Sequence, residues 1–373
     1  MIKKTGILEK IVDLRHQLHR HPELSMQEVR TKHTLIDFLQ KETALPVTDR
    51  GRWFYAYYDC GIVGAETIGF RADFDALPMT EENDISYASE ESGVFHGCGH
   101  DGHSAALAGL ALAVSREGAG KHIVFLFQHG EEIGGGAKEC AGLIRELGIS
   151  EIYAFHNMSG FPEKSIVVRK GVTQCASKGV TVAFQGKTAH ASQPEDGCNP
   201  AKAISELTLA VENFQKLQEY RGLTMATIVQ ICVGSKNFGI AASKGELSLT
   251  LRAFYEEDMR KLEEKIKEKA RTLAQRDGLQ VTWQDSDVFP ETVNEAGCAD
   301  KVAEAARGLG LPCIEMEQPI RASEDFGYYL KECPGCMFYV GNGEAYPPIH
   351  TGNYDFNDRI LETVIAIYRE LIK

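Results

Sequence analysis

Four short segments hold side chains able to bind a metal or move a proton. The first is Phe95-His96-Gly97-Cys98-Gly99-His100-Asp101-Gly102-His103. Glycines on either side of Cys98 let the backbone turn tightly, so Cys98 and His100 can point the same way. Thiolate and imidazole suit a borderline-soft divalent metal. Asp101 and His103 would support those ligands or cap the helix that follows. The second segment, Phe125-Leu126-Phe127-Gln128-His129-Gly130-Glu131-Glu132, sends two adjacent carboxylates out of an apolar strand. One could hold a metal while its neighbour takes a proton from an activated water. The third ends a strand at His156, and the fourth is Ile349-His350-Thr351-Gly352. Together they offer five candidate ligands: Cys98, His100, Glu132, His156 and His350. A single zinc site uses three or four protein ligands. Five point to two ions, with one group or a water between them.

A rival reading makes Cys98 a nucleophile activated by His100, as in a cysteine amidase. It leaves Glu131, Glu132, His156 and His350 without a task. A second rival is a non-catalytic metal-binding relative, whose mark would be a lost ligand or a lost Glu131. The remaining residues of these types need no function. His16, His19 and His33 fall in amphipathic helices. Most of the ten cysteines should be buried small hydrophobes. The close pair Cys333-Pro-Gly-Cys336 has no second pair to complete a four-sulfur site, and Pro-Gly is turn chemistry.

These residues must be positioned by the surrounding elements. Ile7 to Lys41 is helical, broken at His21-Pro22. Apolar runs at Trp53–Tyr58, Thr67–Phe70, His122–Gln128 and Glu151–His156 read as strands, with an Ala/Leu-rich helix over Asp101–Arg116 capped by Asp101. This alternation predicts an α/β fold: a mixed, mostly parallel sheet flanked by helices. The period then changes. Strands at Gly179–Lys187, Ala226–Val233, Glu246–Phe254 and Leu279–Trp283 alternate with helices over Pro200–Gln218 and from Met259 to Leu273. The order β-α-β-β-α-β is the ferredoxin-like α+β plan. Helices near Gly297–Leu309, Ser323–Glu332 and Asn357–Leu371 and a strand at Met337–Gly341 return to the first pattern. The expected organisation is a discontinuous first domain, 1–174 and 290–373, carrying a self-contained inserted domain, 175–289.

Composition narrows the partners. The 373 residues carry 40 Lys+Arg against 53 Asp+Glu, a net charge of −13, which disfavours nucleic acid and anionic membrane surfaces as partners. No apolar run approaches the ~20 residues of a membrane span. The N-terminal stretch lacks the apolar core of a signal peptide, so the expected location is the cytoplasm.

With these residues assembled, the chain resembles the di-metal amidohydrolase and peptidase family that includes hippurate hydrolase, auxin-conjugate hydrolases, aminoacylases and glutamate carboxypeptidases. Leu18-His19-Arg20-His21-Pro22-Glu23, Arg71-Ala72-Asp73-Phe74-Asp75-Ala76-Leu77-Pro78, Cys98-Gly99-His100-Asp101, Glu131-Glu132, His156, Gly186–His190, Ser323-Glu324-Asp325-Phe326 and His350-Thr351 carry the resemblance over almost the whole chain. The Cys-Gly-His-Asp turn together with Arg-Ala-Asp-x-Asp-Ala-Leu-Pro resembles the hippurate-hydrolase-like branch rather than the aminopeptidase branch. The resemblance implies a di-zinc peptidase-like catalytic domain and two divalent ions, Zn²⁺ or Mn²⁺. Cys98, His100, Glu132, His156 and His350 match the family's ligands, and Glu131 matches its general base. His190 matches a residue that reaches the substrate across a homodimer built by the inserted domain. Arg252 matches a substrate-anchoring arginine. The implied substrate is a small N-acyl amino acid or dipeptide-like amide. Three positions depart from the pattern. His129 stands where Pro is expected. Gly239 replaces an Asn, with Asn237 nearby as the substitute substrate contact. The loop Ser192–Gly197 is more acidic.

Overall fold

The computed structural model describes residues 6–216 and 218–373. Its chain divides into two compact units. One comprises the residues up to Thr173 together with Thr292–Gln318 and Glu324–Lys373; the other comprises Gln174–Glu291 and Pro319–Ser323.

The first unit opens with helices α1 (Ile7–Arg20) and α2 (Val29–Glu42), separated where His21-Pro22 ends α1. Strands β1 (Val47–Asp49), β2 (Phe54–Tyr58) and β3 (Thr67–Asp73) follow, then α3 (His100–Glu117), β4 (His122–Gln128), the short α4 (Gly136–Cys140) and α5 (Leu143–Leu147), β5 (Ile149–Ser159), β6 (Ile166–Val168) and β7 (Gly171–Gln174). The chain then builds the second unit from β8 (Ala176–Gln185), β9 (Ala189–His190), α6 (Ala201–Phe214), β10 (Thr224–Val233), β11 (Ile240–Ala241), β12 (Lys244–Ala253), α7 (Glu256–Asp277) and β13 (Gln280–Phe289). It returns through β14 (Thr292–Asn294), α8 (Ala296–Gly308), β15 (Cys313–Glu315), α9 (Gly327–Leu330), β16 (Gly335–Gly343) and α10 (Leu361–Leu371).

The large sheet runs β1-β2-β4-β3-β5-β16-β6-β15. Its centre, β4-β3-β5-β16, is parallel, and β2 joins antiparallel. Parallel strands are buried on both faces, which is why these sequences are apolar throughout. Alternate residues serve different cores. Ile123, Phe125, Phe127, Tyr153, Phe155 and Phe338 pack with α1, α3, α8 and α10. Val124, Leu126, Ile152, Ala154 and Met337 pack on the other face with α4, α5 and α9. The parallel strands leave their C-terminal ends on one edge of the sheet, where open α/β sheets place ligand sites.

In the second unit the sheet order is β10-β12-β8-β13, antiparallel throughout. That is the ferredoxin-like order, with α6 and α7 sealing one face over Val180, Val182, Leu247 and Leu251.

Three local expectations need correction. The helix expected over Ser323–Glu332 is a single turn, Gly327–Leu330, because Glu324 and Asp325 face a buried arginine. β13 runs to Phe289, well past Trp283; as an edge strand it is largely exposed and shows no apolar alternation. Asp101 does not cap α3. The N-cap is Gly99, and the Asp101 carboxylate lies inside the first turn against His19 and Arg15.

Candidate metal centre

Cys98 and His100 lie at the start of α3, on a turn that only glycine can make. Gly99 has φ 93°, and a Cβ there would meet Asn157 Oδ1 at 2.5 Å. The turn brings Cys98 Sγ to 3.3 Å from Nε2 of His156, near the C-terminal end of β5. Glu131 and Glu132 follow β4 through Gly130, which has φ 57°. His100 Nε2 lies 3.8 Å from Glu132 Oε1 and 3.9 Å from Glu131 Oε2. His350, itself in the left-handed region at φ 60°, places Nε2 3.6 Å from Glu132 Oε1. The structure therefore brings Cys98, His100, Glu131, Glu132, His156 and His350 together. The ligand groupings that result include Cys98–His100–His156 and Cys98–Glu132–His350, which contain the same sulfur, and His100–Glu131–Glu132, which brings both carboxylates to one imidazole.

The residues around these side chains fix how they point. Asp75 contacts His100 Nδ1 at 3.1 Å and, with its other oxygen, accepts from the Glu132 amide at 3.0 Å. His156 Nδ1 faces its neighbour's carbonyl, Asn157 O, at 2.7 Å. Each imidazole thus has one nitrogen anchored and the other aimed inward, the arrangement usual for metal-binding histidines. His103 ties Asp73 at 2.6 Å to Asn157 at 2.7 Å. Arg71, fully buried, pairs with Asp73, Glu324 and Asp325 and so holds the segment beside Glu131. Sequence reasoning singled out neither Asp75, Asn157 nor Glu324 as site residues. A carboxylate or amide at the end of an otherwise apolar strand is the signal that could have found Asp75 and Asn157.

The electrostatics of the site call for positive charge. Burial pushes the Glu131 carboxyl well above the usual range, helped by Glu324, Glu132 and Asp325. Burial also raises Glu132 to about 7 against the pull of His100, and lifts the Cys98 thiol well above its ordinary value. Buried and unpartnered, His100 Nε2 and Glu132 Oε1 make no hydrogen bond. Divalent cations would satisfy both needs, with the orphaned nitrogen and oxygen as ligands and the thiolate stabilised by their charge. Soft sulfur, imidazole and carboxylate in one place also suit Zn²⁺ and, for the nitrogen and oxygen donors, Mn²⁺. The residues fit such ions. The same burial speaks against Cys98 as a free nucleophile, since reactive thiols sit in environments that lower their pKa.

The other expected site residues belong to the second unit. His190, on β9, is exposed. Its Nδ1 accepts from the Ser192 amide at 3.1 Å, so the Nε2–H is left as the free donor. Arg252, on β12, donates to Ser323 Oγ at 2.8 Å and to the Arg321 carbonyl at 3.0 Å. Asn237 is exposed, and its side-chain oxygen accepts from the Gly239 amide at 3.0 Å, so both residues share one turn. His129, in the first unit, is buried with Nε2 3.3 Å from Glu139.

Comparison with known proteins agrees with this architecture and chemistry. Residues 69–373 match the family model described as Peptidase family M20/M25/M40, and the chain belongs to that family of hydrolases. It is similar to hippurate hydrolase of Campylobacter jejuni, 28% identical over 98% of this chain and 96% of that one. It is likewise 28% identical to N-acetyldiaminopimelate deacetylase of Exiguobacterium sibiricum, over 96% of this chain and 98% of that one. A solved structure from methicillin resistant Staphylococcus aureus superposes with TM-score 0.90 at 27% identity, covering 100% of this chain and 99% of that chain. A Bacillus subtilis structure described as a dinuclear metal binding peptidase shares the fold, with TM-score 0.83 at 24% identity over 99% and 98% of the two chains. Among the described residues no helix is long and apolar enough to cross a membrane.

Proposed function

We propose that this chain is a metal-dependent amidohydrolase that cleaves the amide bond of small N-acyl amino acids or dipeptide-like substrates. The observation that carries the reading is the pair of ligand groupings sharing Cys98, with Glu131 beside them. Cys98, His100 and His156 would hold one divalent ion, and Cys98, Glu132 and His350 a second. Ions bound there supply the positive charge that acidifies a water and polarises the amide carbonyl. Glu131 takes the proton from the attacking water and returns it to the leaving amine. His190, with Nε2–H free, donates to the developing oxyanion. Arg252 binds the substrate carboxylate, and Asn237 makes a further substrate contact.

The active form in this reading is a homodimer built through the second unit. Supporting it, β10 is a sheet edge carrying exposed Val229 and Ile231, with Phe238 (89% exposed) and Ile240 close by in sequence. Exposed strand edges and apolar patches of this kind favour pairing with a second copy. The ten free cysteines fit a reducing, cytoplasmic setting.

The decisive experiment strips the protein with a chelator and screens N-acetyl, N-benzoyl and dipeptide substrates with Zn²⁺, Mn²⁺ or Co²⁺ restored. Turnover that disappears on stripping and returns with metal is expected. Full turnover in the stripped protein, with metal absence verified by elemental analysis, would overturn the proposal.

A further inference from the structure

A second cluster of metal-binding side chains lies at the other end of the same sheet. Tyr58 of β2 pairs with Ile123 of β4, so the antiparallel register brings Asp59 opposite His122. His122 Nδ1 lies 3.1 Å from Asp59 Oδ1, and Cys60 Sγ lies 3.8 Å from each ring nitrogen. Ligand atoms of the three residues all fall within 4.8 Å of one another. β4 runs from His122 to Gln128, directly before the catalytic turn, so about 20 Å of strand separates the two clusters.

We propose that Asp59, Cys60 and His122 form a solvent-facing site for a borderline-soft divalent cation such as Zn²⁺. The donor set is thiolate, imidazole and carboxylate, the three side chains zinc prefers. On binding, Cys60 turns toward Nδ1: with Sγ equidistant from the two ring nitrogens it lies about 3 Å or more from an ion in line with Nδ1, and a zinc–sulfur bond is ~2.3 Å. Nδ1 carries conflicting demands: it faces the Asp59 carboxylate and also the Cys60 amide N–H at 3.4 Å. It can donate to the first only by losing the second. The ligands are also held in place. Tyr57 stacks on the imidazole with centroids 5.9 Å apart and planes 13° from parallel, and the Gly61 amide donates to Asp59 Oδ1 at 2.8 Å. His122 is mostly buried and Asp59 largely exposed, so the fourth position opens to water.

The test uses the metal-loaded, desalted protein. Alkylation of Cys60 by iodoacetamide is followed by peptide mass spectrometry with and without added Zn²⁺. Cys232, which is exposed, is the internal control. Zn²⁺ should slow Cys60 alkylation by at least about tenfold, because only the free thiolate reacts. Cys232 should change little, and the protection should vanish in His122→Gln and weaken in Asp59→Asn. Cys60→Ser should bind one zinc fewer than wild type while keeping its hydrolytic rate. Unchanged Cys60 reactivity with Zn²⁺, or protection that persists in His122→Gln, would leave only a surface ion pair beside a cysteine and would overturn the proposal. Either result is independent of whether the catalytic reading holds, because the readout is a thiol remote from that centre.

Discussion

Asp75 holds His100 Nδ1 between its carbonyl, at 3.0 Å, and one carboxylate oxygen, at 3.1 Å, and receives the amide of Glu132 on the other oxygen at 3.0 Å. One fully buried side chain therefore orients an imidazole from α3 and the carboxylate-bearing turn after β4. Substituting Asp75→Asn should leave the fold intact and weaken metal retention by about 10–100-fold, the usual effect of losing an outer partner of a histidine ligand. Competition against a chromophoric chelator measures this directly. Unaltered retention would show that Asp75 serves only packing.

The two adjacent carboxylates should separate by function. Glu131→Gln keeps the size and one acceptor oxygen but cannot take up a proton, so turnover should fall by roughly 10²–10⁴-fold while metal content holds. Glu132→Gln should instead lose metal. Elemental analysis beside kcat distinguishes them, and equal metal loss in both variants would contradict the assignment.

A stability prediction comes from the turn that carries these groups. A Cβ on Gly136 would lie 1.6 Å from the His129 carbonyl oxygen, and backbone cannot give way as a flexible side chain can. Gly136→Ala should therefore destabilise the protein by about 1–3 kcal/mol, the range for overpacked sites, and disturb Glu131 and Glu132. Thermal melts and metal content should both fall. Gly120→Ala, where nothing lies within 4 Å, is the control.

The sheet was legible in the sequence because its strands are buried on both faces, and continuous apolar runs such as His122–Gln128 announce that. The ligand set was legible because Cys, His and Glu at turns that follow such runs have few structural uses. What escaped was long-range pairing. Arg71 meets Asp325 at 2.7 Å across 254 residues, and nothing local to either residue signals it. The same blindness produced the error at Asp101, for which the local sequence offered only support of the neighbouring ligands or a helix cap. In the fold its partners are Arg15 and His19, far upstream. β13 was misjudged because an exposed edge strand needs no apolar alternation.

The pairing of His19 with Asp101 has a consequence for pH. Burial disfavours the charged imidazole, but hydrogen bonds to Asp101 at 2.7 Å and Glu81 at 3.1 Å outweigh it and raise the pKa to about 9. An unfolded histidine titrates near about 6.5. With the folded value raised, the stabilisation is complete below about pH 6.5 and is lost as pH rises through about 9. The shift corresponds to roughly 3 kcal/mol. Wild-type Tm should decline across that window more steeply than that of His19→Gln, which cannot titrate. Parallel declines in the two proteins would assign the pH dependence elsewhere.

His190 supplies the test of a shared active site. It is exposed on the short strand β9, and Ser192 fixes its Nδ1 as an acceptor, so its outward nitrogen is a ready donor. If that donor serves the oxyanion, its loss should lower kcat by about 10²–10³-fold with little change in metal content. Whether it serves its own chain or a partner is separable by complementation. His190→Ala chains and Glu131→Gln chains, each inactive alone, are mixed under conditions that exchange subunits. In a two-fold dimer with shared sites, each heterodimer has one site with both defects and one with neither, because the two residues of any site come from different chains. Activity should then return towards half of wild type per heterodimer. Verified exchange with activity still at background would place His190 in service of its own chain or outside catalysis altogether.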